Sequence, residues 1–516
     1  LVNASEPPFT RGHAVAVSGV MLVIFLFAID GTVVSAAMPT IVGKLGGLEL
    51  YGWVFSTYML TSALSTPLFG NLSDLYGRRR LILIGIGLFT LGSALCGAAQ
   101  SMEHLIVFRA LQGIGGGAIY ALSFILIGFL FPPEKRAKMQ ALISGLWGIA
   151  SILGPLAGGV ITQYWSWRWI FFINLPLCLI AALLIGFGVS ETKEEHRRRP
   201  DFKGVAALLA GLFLLFYALE YGQRNSFASN GMPIGLLTAS FAVLFWFYRI
   251  ERRSPEPMLP LALFRLRLFR VCLGLAWLAS MGMFGIISYL PLYVQGALGA
   301  DAARAGFTLV VASLGWTAGS FIAGAGMNRL GYRAVSIAGM LLMAVGYGAF
   351  VAAGSPLGYF SVLAIGAVIG VGMGMVTITS MVAAQNAAPL SQLGVATSTI
   401  MLARMLGGAF GIALMGGVLV GRMERRLIEV SFGAFSDLGG GLLKKLANPQ
   451  NLLDPVTRAL IPDSLQKVLI EILAGSLWHA FLAGFFVMLI GLAASFFMSP
   501  STPSDAHGER KDRATL

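Results

Sequence analysis

Fourteen apolar runs of about 18–25 residues divide this chain, at roughly 14–36, 51–69, 81–99, 105–130, 139–161, 170–189, 204–221, 233–249, 269–295, 304–324, 334–353, 357–381, 394–420 and 475–497. A run of that length crosses the hydrocarbon of a bilayer as a helix. In lipid every backbone N–H and C=O must find its partner inside the protein, so helices of this kind leave little freedom of fold. The expectation is an all-α polytopic membrane protein with 14 transmembrane helices. Charge scarcity agrees: 57% of residues are hydrophobic and 11% charged, where a soluble domain carries about 25% charge. A soluble enzyme is excluded, and so is a disordered chain, which needs the opposite balance.

Charge placement orients the helices. With both termini cytoplasmic, twenty-three of the 36 Lys and Arg fall in inner segments and eleven in outer ones, leaving Arg109 and Arg404 within spans. That excess obeys the positive-inside rule. The net charge of +13 is therefore read as a topological label, with no nucleic-acid partner. The one awkward place is Arg422, Arg425 and Arg426, just outside the thirteenth run. A plasma-membrane, multi-pass location follows, with the lipid bilayer as the main surroundings.

The runs group as six, two and six. Residues 1–190 form an N-terminal half, 191–268 hold charged loops around a two-helix insert, and 269–500 form a C-terminal half. A long outer loop is expected at 421–473, between helices 13 and 14, although Leu465, Val468, Leu469 and Ile472 keep helical spacing. Residues 501–516 are polar and expected to be a disordered cytoplasmic tail. The halves repeat one another: Gly70, Asp74 and Gly77 after the second run answer to Gly324, Asn328 and Gly331 after the tenth. Internal repeats with a site at their interface mark secondary transporters.

Several segments resemble one family. The stretch from Gly70 to Arg80, GNLSDLYGRRR, is similar to the loop 2–3 motif of the major facilitator superfamily. FRALQGIGGG at 108–117, with Arg109, resembles its fourth-helix motif, and GPLAGG at 154–159 its fifth-helix antiporter motif, with Ala150 standing where a further glycine is usual. AIDGTVVSAAMP at 28–39, WRWIFFINLP at 167–176 and QLGVATSTIMLARMLGGAFG at 392–411 are similar to the fourteen-helix drug:proton antiporter branch. The resemblance covers nearly the whole chain, in order. It implies the major facilitator fold, alternating access, and proton-coupled efflux of lipophilic drugs, cationic ones among them, by a monomer without a cofactor. A symporter or exporter of one metabolite, and a non-transporting membrane sensor, are the alternatives.

The proton-coupling candidates are Asp30 and Arg109. Asp30 is the only acid well inside a run, Glu220 lying at a helix end. A carboxylate in a span is costly and tends to be functional, and one held in apolar surroundings takes up protons more readily than in water. Both residues are expected about 8–9 Å below the outer surface. Substrate-cavity candidates are Trp53, Tyr58, Met59, Gln112 and Arg404. Gating candidates are Gly70, Asp74, Gly77 and Arg78, which would lock the inner side, and Gly154, Pro155, Gly158 and Gly159, which by family resemblance would seal the halves together.

Other chemistries find no support. Gly113, Gly115 and Ala118 satisfy GxGxxA but lie inside a spanning run, where the strand–turn–helix context of a dinucleotide site is missing. There is no P-loop lysine motif and no cluster of catalytic or metal-ligating groups, so the chain is not expected to be an enzyme. Cys96, Cys178 and Cys272 sit apart in apolar runs and read as core residues.

Overall fold

The computed structural model describes residues 11–46, 50–189, 202–225, 231–254, 261–354, 357–389, 392–431 and 463–502. Among these there is no strand. The elements are α1 (Arg11–Leu45), α2 (Tyr51–Tyr76), α3 (Arg78–Gly97), α4 (Met102–Leu130), α5 (Pro133–Tyr164), and α6 in two pieces, Trp169–Phe172 and Asn174–Gly188. They continue with α7 (Phe202–Asn225), α8 (Met232–Glu251), and α9 (Arg267–Leu292), which ends in a π-turn, Tyr293–Ala297. The continuous helix Ala302–Ala353 is broken at Gly331 into α10 and α11. Then come α12 (Tyr359–Ala387), α13 (Leu393–Ser431) and α14 (Asp463–Ser495). Among the described residues eleven helices are long and apolar enough to cross a membrane; the span Ala303–Ala353 among them contains both α10 and α11, while α2 and α7 are outside this set.

The two glycines of the sequence repeat make the same turn. Gly77 has φ +89° between α2 and α3, and Gly331 has φ +78° between α10 and α11. That left-handed region disfavours any residue with a Cβ, and it folds α11 back along α10. The direction is legible in the packing. Along α10, Ala312, Trp316 and Ser320 meet Gly370 and Gly374 in ascending order on α12, whereas Gly339 and Gly346 on α11 meet α12 in descending order.

Helices α1–α6 pack mainly among themselves, and so do α9–α14. Small residues permit the closest approaches: a methyl group at Gly113 or Gly117 of α4 would collide with the α2 backbone at Tyr58 or Ser62. Helix α7 lies over the junction of α2 and α13, its Leu208 and Leu212 packing near Leu64, Leu402 and Leu406. Most of the hydrogen bonds that join the two groups lie toward the end of the bundle where the glycine turns sit, as described below.

Two expected boundaries move. The outer loop 421–473 is helical at both ends, because α13 continues to Ser431 and α14 begins at Asp463; residues 432–462 lie outside the described residues. At about 1.5 Å per residue α13 is about 58 Å long, nearly twice the hydrocarbon thickness. Arg422, Arg425 and Arg426 therefore belong to a helix that outruns its apolar segment, and Arg426 pairs with Glu429 at 3.1 Å on its exposed face. The tail does not start free: Tyr332 N–H donates to the Ser501 carbonyl at 3.1 Å, against the Gly331 turn. Residues 503–516 and the charged segment 190–201 lie outside the described residues.

Candidate functional site

Asp30 and Arg109 meet inside the first group of helices. Arg109 Nη1 donates to Asp30 Oδ2 at 2.6 Å and to Gln112 Oε1 at 2.8 Å, while Gln112 Nε2 donates to Asp30 Oδ1 at 2.9 Å. Asn174 Nδ2, at the start of the long piece of α6, reaches Asp30 Oδ1 at 3.5 Å and Ser93 Oγ at 3.0 Å; Ser93 in turn donates to the Phe171 carbonyl at 2.9 Å. The Tyr58 ring stacks on the guanidinium, 3.9 Å from ring centroid to Cζ. Asp30, Arg109, Gln112 and Asn174 are all buried. Four helices, α1, α3, α4 and α6, thus converge on one carboxylate, with α2 closing it through Tyr58.

The local sequence explains the convergence. Arg109 and Gln112 are three apart on α4 and share a face. Gly92 lets α3 touch the backbone of Gln112, where a Cβ would not fit. Asp30 lies about 22 Å from the C-terminal end of α1, because α1 continues to Leu45 rather than ending near 36. Sequence reasoning missed Asn174 and Ser93, and it missed the aromatic group beside Asp30. There Phe27 lies 6.1 Å from Tyr58, 5.2 Å from Tyr120 and 5.8 Å from Trp147, centroid to centroid.

The other cavity candidates separate. Trp53 stands apart, its ring 6.5 Å from Tyr217 of α7. Met59 is 59% exposed and lies three turns from Gly70 on the same stripe of α2. Gly70 packs against Ser398 of α13, so the seam between the groups is closed at Gly70. Arg404 is on α13, its guanidinium 5.5 Å from the Trp316 ring centroid, away from the Asp30 network.

Two of the four gating candidates at the closed end, Gly70 and Asp74, touch the opposite group. Asp74 Oδ1 and Oδ2 accept from the backbone N–H groups of Gly394 (3.2 Å) and Val395 (3.1 Å), in the first turn of α13, and Arg78 lies at 3.4 Å. A carboxylate complements the positive end of a helix. Burial nonetheless pushes the Asp74 carboxyl up to about 7, against the opposing pull of Arg78 and the two N–H groups. A second set of cross-seam bonds escaped the sequence reading. Arg136 donates to Asn386 at 2.7 Å, Gln140 to Gln385 at 2.7 Å, Gln385 to the Phe124 carbonyl at 3.3 Å and Thr317 to the Ser144 carbonyl at 3.0 Å, while Gln385 also donates to Thr397 of its own group at 3.0 Å.

The GPLAGG glycines act differently from what the resemblance implied. Gly154 and Gly158 are pressed against Thr32, Val33 and Ala36 of α1, within the same half, and Gly159 has no neighbour where its Cβ would stand. Pro155 lies inside α5 and is exposed. The motif packs α5 on α1 here.

With this geometry in view, the relatives can be weighed. The chain matches the Major Facilitator Superfamily over residues 20–412. It belongs to that superfamily. It is 33% identical over 509 residues to the multidrug transporter protein MdtP of Bacillus subtilis (strain 168), covering 96% of this chain and 94% of that one. It is 33% identical over 484 residues to multidrug resistance protein 3 of the same organism, covering 93% and 94%. A solved structure of the proton:xylose symporter XylE shares the fold, with a TM-score of 0.59 at 15% identity over 96% of this chain and 98% of that one. The protein is thus a multi-pass membrane protein of a transporter superfamily.

Proposed function

We propose that this superfamily member exports lipophilic drugs or toxic compounds in exchange for protons, with fourteen crossings and both termini in the cytoplasm. The observation that carries the reading is the carboxylate of Asp30, buried in a bundle whose two groups are bonded to one another near the glycine turns. Ionised, Asp30 is an acceptor only, and every partner around it is a donor. Protonation turns one of its oxygens into a donor facing the Arg109 or Gln112 donors, so proton uptake loosens α1 from α4 and gives the bundle a reason to change shape. Asp74 and the Gln140–Gln385–Thr397 bonds hold the cytoplasmic side shut meanwhile. Alternating access then moves substrate past the seam while Asp30 loads on one side and unloads on the other.

The names of the Bacillus relatives support a drug cargo. Export is tested in everted membrane vesicles with a fluorescent dye. Uptake should follow the imposed pH gradient and cease when nigericin collapses it. Uptake that continues unchanged without a gradient would remove proton coupling from the reading, and proton movement in the same direction as the dye would make the protein a symporter.

A further inference from the structure

Among the described residues three arginines are buried: Arg109 at 0% exposure, Arg136 at 3% and Arg404 at 6%. Arg109 has the Asp30 carboxylate and Gln112. Arg136 has the Phe131 carbonyl and Asn386. Arg404 has no counterpart of either kind. Among the described residues no carboxylate stands within ion-pair distance of it, no protein group accepts from its guanidinium, and its Nε is buried without a partner. Among the described residues its guanidinium meets the face of Trp316. Arginine does not shed its proton in proteins, so the positive charge stays, in surroundings that penalise it.

The position is an interior one. Arg404 stands two turns along α13 from Thr397, the residue that Gln385 binds at the closed seam. One turn further, Gly408 packs on the Phe284 ring, which meets Trp316 edge-on at 6.3 Å. Thr317, next to Trp316, reaches across to Ser144. The guanidinium therefore lies over an aromatic shelf beside the route between the halves. Asp30 and Asp74 are engaged elsewhere: Asp30 by Arg109, Gln112 and Asn174, and Asp74 by Arg78 and the first turn of α13.

We propose that Arg404 is the binding group for the anionic end of an amphiphilic substrate, with Trp316 and Phe284 receiving its apolar body, so that lipophilic carboxylates are among the exported compounds. The word substrate here rests on the export reading above. The fork of N–H donors fits a carboxylate with two parallel bonds, and a counter-ion brought by the ligand removes the cost of the lone charge. A lipophilic cation at the same place would meet a like charge, contrary to the preference expected from the family resemblance.

The test uses the whole protein in lipid nanodiscs at neutral pH with three probes of one shape: pyrenebutyrate, its methyl ester and the matching trimethylammonium. Energy transfer from tryptophan to pyrene reports binding. The carboxylate should bind about tenfold more tightly than the ester, a difference usual for a charge-assisted pair. Arg404→Gln should erase that preference with ester binding unchanged, and Arg404→Lys should retain part of it. Equal binding of carboxylate and ester by the native protein overturns the proposal, as does a preference that survives in Arg404→Gln or tightest binding of the ammonium. Should Arg404→Gln fail to fold, the native three-probe series and Arg404→Lys still decide. Binding is read without any gradient, so the two readings fail separately. Carboxylate preference without gradient-driven transport sinks export alone, whereas transport of ester and ammonium with no carboxylate preference sinks this proposal alone.

Discussion

Replacing Asp30 by Asn changes one charge and almost no volume, and its consequences can be worked from the contacts. The native carboxylate accepts from Arg109 at 2.6 Å and from Gln112 at 2.9 Å, one on each oxygen. An amide keeps one acceptor and substitutes a donor for the other, so one of the two partners then faces an N–H. Arg109, fully buried, becomes a cation without an anion. Breaking a buried pair from one side costs about 3–5 kcal/mol. Removing the second partner as well, in Asp30→Asn with Arg109→Gln, takes away the stranded charge, and the loss should shrink to about 1–2 kcal/mol. Thermal unfolding in detergent, followed by tryptophan fluorescence, would then rank native above double variant above single variant. Gradient-driven dye uptake in everted vesicles should be lost in both variants. The two readouts separate a structural ion pair from a proton carrier: if the double variant regains both stability and gradient-driven uptake, Asp30 does not carry the proton. A single variant as stable as the native protein would refute the pairing itself.

Further expectations can be checked at the seam and in the packing. Asp74 titrates near 7 when the seam is closed and should return toward the ordinary value of about 4 when water reaches it. The closed form then binds the proton more tightly, so closure should strengthen as pH falls from about 7 to about 4 and lose that increment above 7. Spin labels at the exposed Tyr76 and Leu330 should report it, with a flat profile in Asp74→Asn. Gln385→Ala removes the bonds to Gln140, Thr397 and the Phe124 carbonyl, and the same labels should move apart at every pH. Gly154→Ala must displace Thr32 and should cost about 1–3 kcal/mol, whereas Gly159→Ala enters open space and should gain up to about 1 kcal/mol of helix propensity; equal unfolding temperatures would refute the α1–α5 packing.

The proton-site candidates were legible because charges are so rare in this chain. Asp30, Arg109 and Arg404 stand out against apolar runs, and Gln112 follows from helical spacing with Arg109. Asn174, Gln385 and Asn386 did not stand out, since a neutral amide barely interrupts a hydrophobic run, yet in the structure each holds two helices together. Phe27, Tyr120 and Trp147 were hidden among the many aromatics that any membrane chain carries. The GPLAGG glycines signalled close approach correctly, but small residues say nothing of which helix approaches, and α1 proved to be the partner. Helix ends were misjudged for a related reason: apolarity stops at the membrane surface, whereas hydrogen bonding along α1 and α13 does not. The glycine repeat was the most informative pattern for the fold, because Gly77 and Gly331 are placed by backbone geometry rather than by hydropathy.

Charge balance ties the two proposals to one measurement. If Asp30 alone carries the proton, each cycle brings in one positive charge. Exporting a monovalent cation in exchange then moves no net charge, exporting a neutral compound moves one, and exporting a monoanion moves two, all inward for a positive sign. Each charge crossing the whole potential is worth about 2.3 kcal/mol per 100 mV, so a carboxylate exporter gains about 4.6 kcal/mol from a 100 mV inside-negative potential where a cation exporter gains nothing. Locally the electrostatics oppose this exchange, since an anion on Arg404 makes a proton on Asp30 more welcome. Obligatory exchange of an anion must therefore be enforced by the seam, through states in which only one ligand is retained, and not by competition for a shared site. Proteoliposomes with a valinomycin–potassium potential and no pH gradient make the distinction. Export of pyrenebutyrate should accelerate with potential more steeply than that of its ester, and export of the ammonium should not respond. Equal responses for all three probes would mean that the charge on the substrate does not cross with it, and would contradict either the single-proton exchange or the anion site at Arg404.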